Sequence, residues 1–86
     1  MKPVLLFILE SCPFCKEALT WMDELKQENP KYADVAFTIV DEKKEPDLAN
    51  AYDYYFVPTY YIEDVKVHEG IASKDMIREV FEKALK

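Results

Sequence analysis

The chain has two cysteines and a single histidine among its 86 residues, and these scarcities narrow what it can be. The one disulfide available, Cys12 to Cys15, closes a loop of only four residues. So small a loop constrains an unfolded chain little, so stability has to come from packing rather than from a covalent staple. His68 is the only further soft ligand, whereas a structural zinc site usually needs four. Basic residues are short as well: eleven against seventeen acids leave a net charge of −6, with no run of Lys or Arg. Such a surface does not attract a phosphate backbone or an anionic membrane. No apolar run approaches the about 20 residues of a membrane-spanning helix. The apolar start Val4-Leu5-Leu6-Phe7-Ile8-Leu9 after Lys2 is too short for a secretory signal and meets Glu10 without a small-residue cleavage site. The expected location is the cytoplasm, where a close cysteine pair reads as catalytic or metal-binding rather than structural.

Hydrophobic residues, by contrast, are plentiful at 50%, with 14% aromatic, enough for the core of one domain over residues 1–86. Residues 4–9 are continuously apolar and β-prone, as in a strand buried on both faces. A helix is expected from Pro13, well suited to a first helical position, to Glu28. Its apolar stripe is Cys15, Ala18, Leu19, Met22 and Leu25, and Asn29-Pro30 ends it. A second strand is read over Val35–Val40, and a short helix from Pro46 to Tyr52. Strands at Thr59–Ile62 and Val65–His68 are separated only by Glu63-Asp64, which predicts a tight antiparallel hairpin without the favoured Asn-Gly. Tyr60 and Tyr61 fall on opposite faces by strand alternation. Ser73 can cap a last helix whose stripe is Met76, Ile77, Val80, Phe81, Ala84 and Leu85. The order β-α-β-α-β-β-α describes an α/β fold, a mixed four-stranded sheet with three helices.

The cysteine pair stands between the first strand and the first helix. A thiol at a helix start faces unpaired backbone N–H groups and the positive end of the helix dipole, and both favour the reactive thiolate. Cys12, at the cap, is the expected nucleophile. Cys15, one turn in on the buried face, is the expected resolving thiol, closing a Cys12–Cys15 disulfide after a mixed-disulfide step. Pro13 stiffens the loop, Phe14 offers an apolar contact to a partner, and Lys16 adds positive potential. Half a zinc site and two inert buried thiols are the alternatives. A second cluster is Phe56-Val57-Pro58-Thr59. Only an X–Pro bond adopts the cis form cheaply. A cis turn at Pro58 would leave the Val57 backbone to pair with an extended substrate segment.

With these residues in view, the whole chain resembles the glutaredoxins of the thioredoxin superfamily. Cys12-Pro13-Phe14-Cys15 is close to the glutaredoxin Cys-Pro-Tyr-Cys, and Val57-Pro58 matches the family's Val-Pro, in which the proline is cis and faces the cysteines. The resemblance implies a thioredoxin-like fold and a thiol–disulfide oxidoreductase using Cys12 and Cys15 on protein disulfides. It implies a substrate groove at Pro13, Phe14, Val57, Pro58 and Thr59, with no bound cofactor or metal. The chain departs from the family where glutathione is held. Leu9 stands where a Lys is usual, Ile71 replaces the second glycine after Gly70, and Asp75 sits at a shifted spacing. Gly70-Ile71-Ala72-Ser73-Lys74 looks more like thioredoxin, although the thioredoxin active-site Trp and Gly-Pro are missing. Glu10 and Glu69 are expected to repel a peptide with carboxylates at both ends. A thioredoxin reductase-like flavoenzyme is therefore the expected electron donor, with glutathione the alternative. The expected protein is a monomer acting on disulfide-bearing proteins. An iron–sulfur carrier sharing Cys12 between two chains is a further possibility, which the retention of Cys15 disfavours. A redox sensor or docking module is another, although no tail or interaction segment supports it.

Overall fold

Residues 1–86 are described by the structure, a computed structural model. The apolar start forms β1 (Val4–Ile8), and the residues after the cysteines form α1 (Pro13–Glu28). Then come β2 (Phe37–Asp41), α2 (Pro46–Asn50), β3 (Thr59–Ile62), β4 (Val65–Glu69) and α3 (Lys74–Leu85). The sheet order is β2-β1-β3-β4, with β1 parallel to β2 and the other pairings antiparallel. No helix is long and apolar enough to cross a membrane.

Alternation along the strands divides the core in two. Val4, Leu6, Ile8, Tyr60 and Ile62 face α1 and α3 and join a cluster of 16 buried residues. Phe7, Val40, Ala49 and Tyr61 make a cluster of four on the other face, beneath α2. Tyr60 and Tyr61 thus point to opposite faces, as period-two alternation requires. Phe81 of α3 anchors the larger layer, stacked on Tyr32 at 4.7 Å and edge-on to Phe37 at 5.1 Å between ring centroids. Ser73 caps α3 by accepting the Met76 N–H at 3.2 Å.

Some boundaries differ from the sequence reading. Val35 does not begin β2. Asn29-Pro30 ends α1 but also starts a 3-10 turn over Pro30–Asp34, in which the Asn29 side chain accepts the Lys31 N–H at 3.1 Å. The turn draws the Val35 N–H to the Tyr32 carbonyl, and β2 starts two residues later and runs to Asp41, opposite Ile8. The short helix stops at Asn50, not Tyr52, while β4 gains Glu69. At the β3–β4 hairpin, Glu63 and Asp64 both take positive φ, 50° and 63°. A two-residue turn matched to strand twist needs that backbone even when the residues are not Asn-Gly.

Candidate active site

The segment between β1 and α1 is pinned from both sides. The Cys12 N–H bonds to the Leu9 carbonyl at 3.0 Å, and the Glu10 N–H to the Asp41 carboxylate at 3.1 Å. Asp41 also accepts the Lys43 N–H at 2.9 Å. These backbone N–H bonds and the Lys44 ammonium hold its carboxyl below the ordinary carboxylate range, against the opposing effect of burial.

Cys12 is the N-cap residue of α1, and its carbonyl accepts the N–H groups of Cys15 and Lys16, each at 3.1 Å. Its side chain makes no capping bond and is half-buried, packed against the core cluster beside Cys15. Cys15 lies one turn in, only 1% exposed and part of the larger core cluster. Both cysteines are free thiols. Burial raises the Cys15 thiol from 9.0 to about 12, with the neighbouring Cys12 sulfur adding to the rise. The Leu9 N–H, 3.5 Å from the sulfur, partly offsets it. The pair is therefore unequal, with one accessible sulfur and one buried thiol held protonated.

The Val57–Pro58 peptide bond is cis. Since Phe7 pairs with Thr59 in the antiparallel β1–β3 ladder, the residues before Thr59 run along the end of β1 that leads to Cys12. Cys12 and Val57 both pack against the core cluster that contains Cys15. The Val57 N–H and carbonyl make no hydrogen bond within the chain. Pro58 and Thr59 are buried, and the Thr59 hydroxyl donates to the Phe56 carbonyl, shaping the segment from within. Phe14, between the two cysteines, is an exposed apolar side chain (46% exposed), and Phe56, next to Val57, and Ile71 are exposed as well. Pro13 is exposed at the first turn of α1.

Two expectations about charge need correction. Glu10 does not stand as a free negative charge, because Lys44 pairs with it at 2.9 Å. Glu69 binds the Lys66 ammonium at 2.6 Å and accepts the backbone N–H groups of Tyr55 and Phe56. Neither carboxylate is poised to repel a substrate as the sequence suggested. Next to Cys12 there is a cleft of about 610 Å³ lined by Ser11, Lys16, Lys43 and Lys44 together with Leu9, Glu10 and Asp41. Lys16 and Lys43 make no ion pair. Asp75 pairs with Arg78 on the surface of α3. The His68 Nε2 lies 3.1 Å from the carbonyls of both Gly70 and Ile71.

No protein-family model and no curated protein matches the chain. Solved structures do. The chain is similar to a mutant thioredoxin from Halobacterium salinarum, at 21% identity over 99% of this chain and 75% of that one, with a TM-score of 0.72. It is similar to thioredoxin of Fasciola hepatica, at 21% identity, 96% and 80% coverage and a TM-score of 0.71. It is also similar to a malarial protein, at 22% identity, 100% and 99% coverage and a TM-score of 0.74. The fold is therefore the thioredoxin fold, with its two cysteines close together at the start of the first helix.

Proposed function

We propose that the chain is a thiol–disulfide oxidoreductase that reduces protein disulfides by dithiol exchange. The observation that carries this reading is the inequality of the two thiols, an accessible Cys12 at a helix start over a buried Cys15. The Cys12 thiolate attacks one sulfur of the substrate disulfide, and the other sulfur leaves as a thiolate that takes up a proton. A Cys12–substrate mixed disulfide results. Cys15 then gives up its proton and attacks the Cys12 sulfur, releasing the second substrate thiol. Two electrons pass to the substrate, and the chain is left with a Cys12–Cys15 disulfide. Burial keeps Cys15 protonated, which withholds it from outside disulfides until the mixed disulfide brings a sulfur to it. Val57 supplies backbone groups for an extended substrate strand, and Phe14 and Phe56 supply apolar contact.

The donor that returns the electrons is read as a thioredoxin reductase-like flavoenzyme, because Leu9 and Ile71 stand where glutaredoxins place their glutathione-holding Lys and Gly. A second reading, a glutaredoxin-like use of glutathione, is favoured by the cleft of Lys16, Lys43 and Lys44 beside Cys12, which suits a carboxylate-bearing peptide. Reduction of insulin separates them, with NADPH and thioredoxin reductase in one arm and glutathione with its reductase in the other. The flavoenzyme arm is expected to turn over while the glutathione arm stays at its blank. Faster turnover with glutathione, lost in the Lys16→Glu and Lys43→Glu variant, would assign the cleft to glutathione instead. Activity in neither arm would remove the oxidoreductase reading.

A further inference from the structure

The segment Asp53–Val57 belongs to no helix or strand, yet it carries the backbone read above as the substrate's docking lip. Its position has to be set by something else. One oxygen of the Glu69 carboxylate accepts two successive N–H groups from this segment, Tyr55 at 2.6 Å and Phe56 at 3.0 Å. The other oxygen takes the Lys66 ammonium at 2.6 Å. Lys66 reaches the same segment itself, donating to the Asp53 carbonyl at 3.1 Å, where the Tyr61 hydroxyl also donates at 2.6 Å. All of these anchors stand on β3 and β4, so the lip is tied to the sheet through polar groups. Tyr54 also stacks on Phe7 of the smaller core cluster at 4.8 Å between ring centroids and Val57 packs on the core, whereas the Tyr55 and Phe56 side chains face outward, 86% and 68% exposed.

The geometry depends on a local irregularity. Residues three apart on a regular strand point to opposite faces. Here the register between β3 and β4 slips, with Tyr60 opposite His68 and Tyr61 opposite Lys66, so Val67 is the extra residue of a bulge. A bulge re-aims the side chains beside it, and Lys66 and Glu69 meet on one side. Bonds from neutral donors to a charged acceptor are about twice as strong as neutral pairs. Lys66 first, and then the two N–H groups, hold the Glu69 carboxyl down at about 2, so the bracket stays charged at any physiological pH.

We propose that Glu69, with Lys66 as its counter-charge, is a positioning residue that fixes the docking lip Tyr55-Phe56-Val57 relative to the Cys12 sulfur. This rests on the reading of the lip as the substrate-binding strand, and it assigns to Glu69 substrate affinity rather than thiol chemistry. The test compares Glu69→Ala, Glu69→Gln and Lys66→Met with the unaltered protein. In Glu69→Ala the Tyr55 and Phe56 amides lose their protection from hydrogen exchange. KM for oxidised insulin rises at least about tenfold, as when binding shared by the ground and transition states is lost. The kcat value and the rate of Cys12 alkylation by iodoacetamide, which needs no groove, stay within about twofold of the unaltered protein. Glu69→Gln, which keeps the size of the side chain and one acceptor oxygen, and Lys66→Met, which keeps both N–H bonds, fall between. If Glu69→Ala does not fold, Glu69→Gln carries the comparison. Unchanged amide protection overturns the proposal, as does lost protection with an unchanged KM. If the unaltered protein reduces no disulfide, the functional reading fails, while the amide measurement still decides whether Glu69 holds the segment.

Discussion

Replacing Cys12 by serine is expected to bring disulfide reduction to the uncatalysed background, while replacing Cys15 leaves a protein that captures its substrate covalently. The two sulfurs occupy environments that cannot exchange roles. Cys12 caps α1 without a side-chain capping bond and is only half-buried, whereas Cys15 is enclosed by the larger core cluster and its thiol is pushed up to about 12. A Cys12→Ser protein therefore retains only a buried, protonated thiol, which an incoming disulfide cannot reach. A Cys15→Ser protein can form the mixed disulfide but cannot resolve it from within. Mass spectrometry after mixing with an oxidised protein substrate should show one covalent adduct in Cys15→Ser, cleaved by dithiothreitol, and none in Cys12→Ser. Iodoacetamide at neutral pH should label one thiol in the unaltered protein. Wild-type turnover in Cys12→Ser would end the assignment of that residue as nucleophile.

Phe81→Ala is expected to cost about 3–5 kcal/mol, the range for truncating a buried aromatic. The side chain is fully buried, stacked on Tyr32 and edge-on to Phe37, so both the 3-10 turn and β2 lose an aromatic contact with α3. A chain of 86 residues has a total stability of roughly 4–13 kcal/mol at ordinary values per residue. The substitution therefore takes about a quarter of the stability at the least, and leaves the protein at or near unfolding at the lower end of that range. Urea denaturation followed by circular dichroism measures the loss. Met76→Ala on the same helix, at a partly exposed position, serves as the control with a small effect. A loss of under about 1 kcal/mol for Phe81→Ala would mean that the larger layer is not the seat of stability described here.

Much of this architecture was legible because it is periodic. The apolar run of β1 is unbroken, as a strand buried on both faces requires, and the stripes from Cys15 to Leu25 and along α3 repeat at the helical period. The site's two landmarks were legible for a related reason: Cys12-Pro13-Phe14-Cys15 and Val57-Pro58 are short, and their geometry is local. What escaped was set by distance. Glu10 looked like a repelling charge because its partner, Lys44, is brought to it only when β2 pairs with β1. Glu69 looked the same because Lys66, three residues before it, would point away on a regular strand, and no residue in Val65-Lys66-Val67-His68-Glu69 announces the bulge. The 3-10 turn was hidden by Asn29-Pro30, which reads as a stop whether the chain then extends or coils again. The glutaredoxin likeness came from four residues and a dipeptide, whereas the solved structures that resemble the whole backbone include thioredoxins.

The division of the core into 16 buried residues on one face of the sheet and four on the other has a thermal consequence. Cys15 belongs to the large layer, while Tyr52 and Tyr54, which flank the docking lip in sequence, rest on the small one. Val57 touches both. Regions with few buried apolar contacts open at lower free energy than the rest of a molecule. On warming, the small layer loosens first, and the lip loses its setting while the thiol pair is still held in place. On the proposed function, the protein would grow less choosy about its substrates before it grew less reactive, so heat would blunt its selectivity ahead of its chemistry.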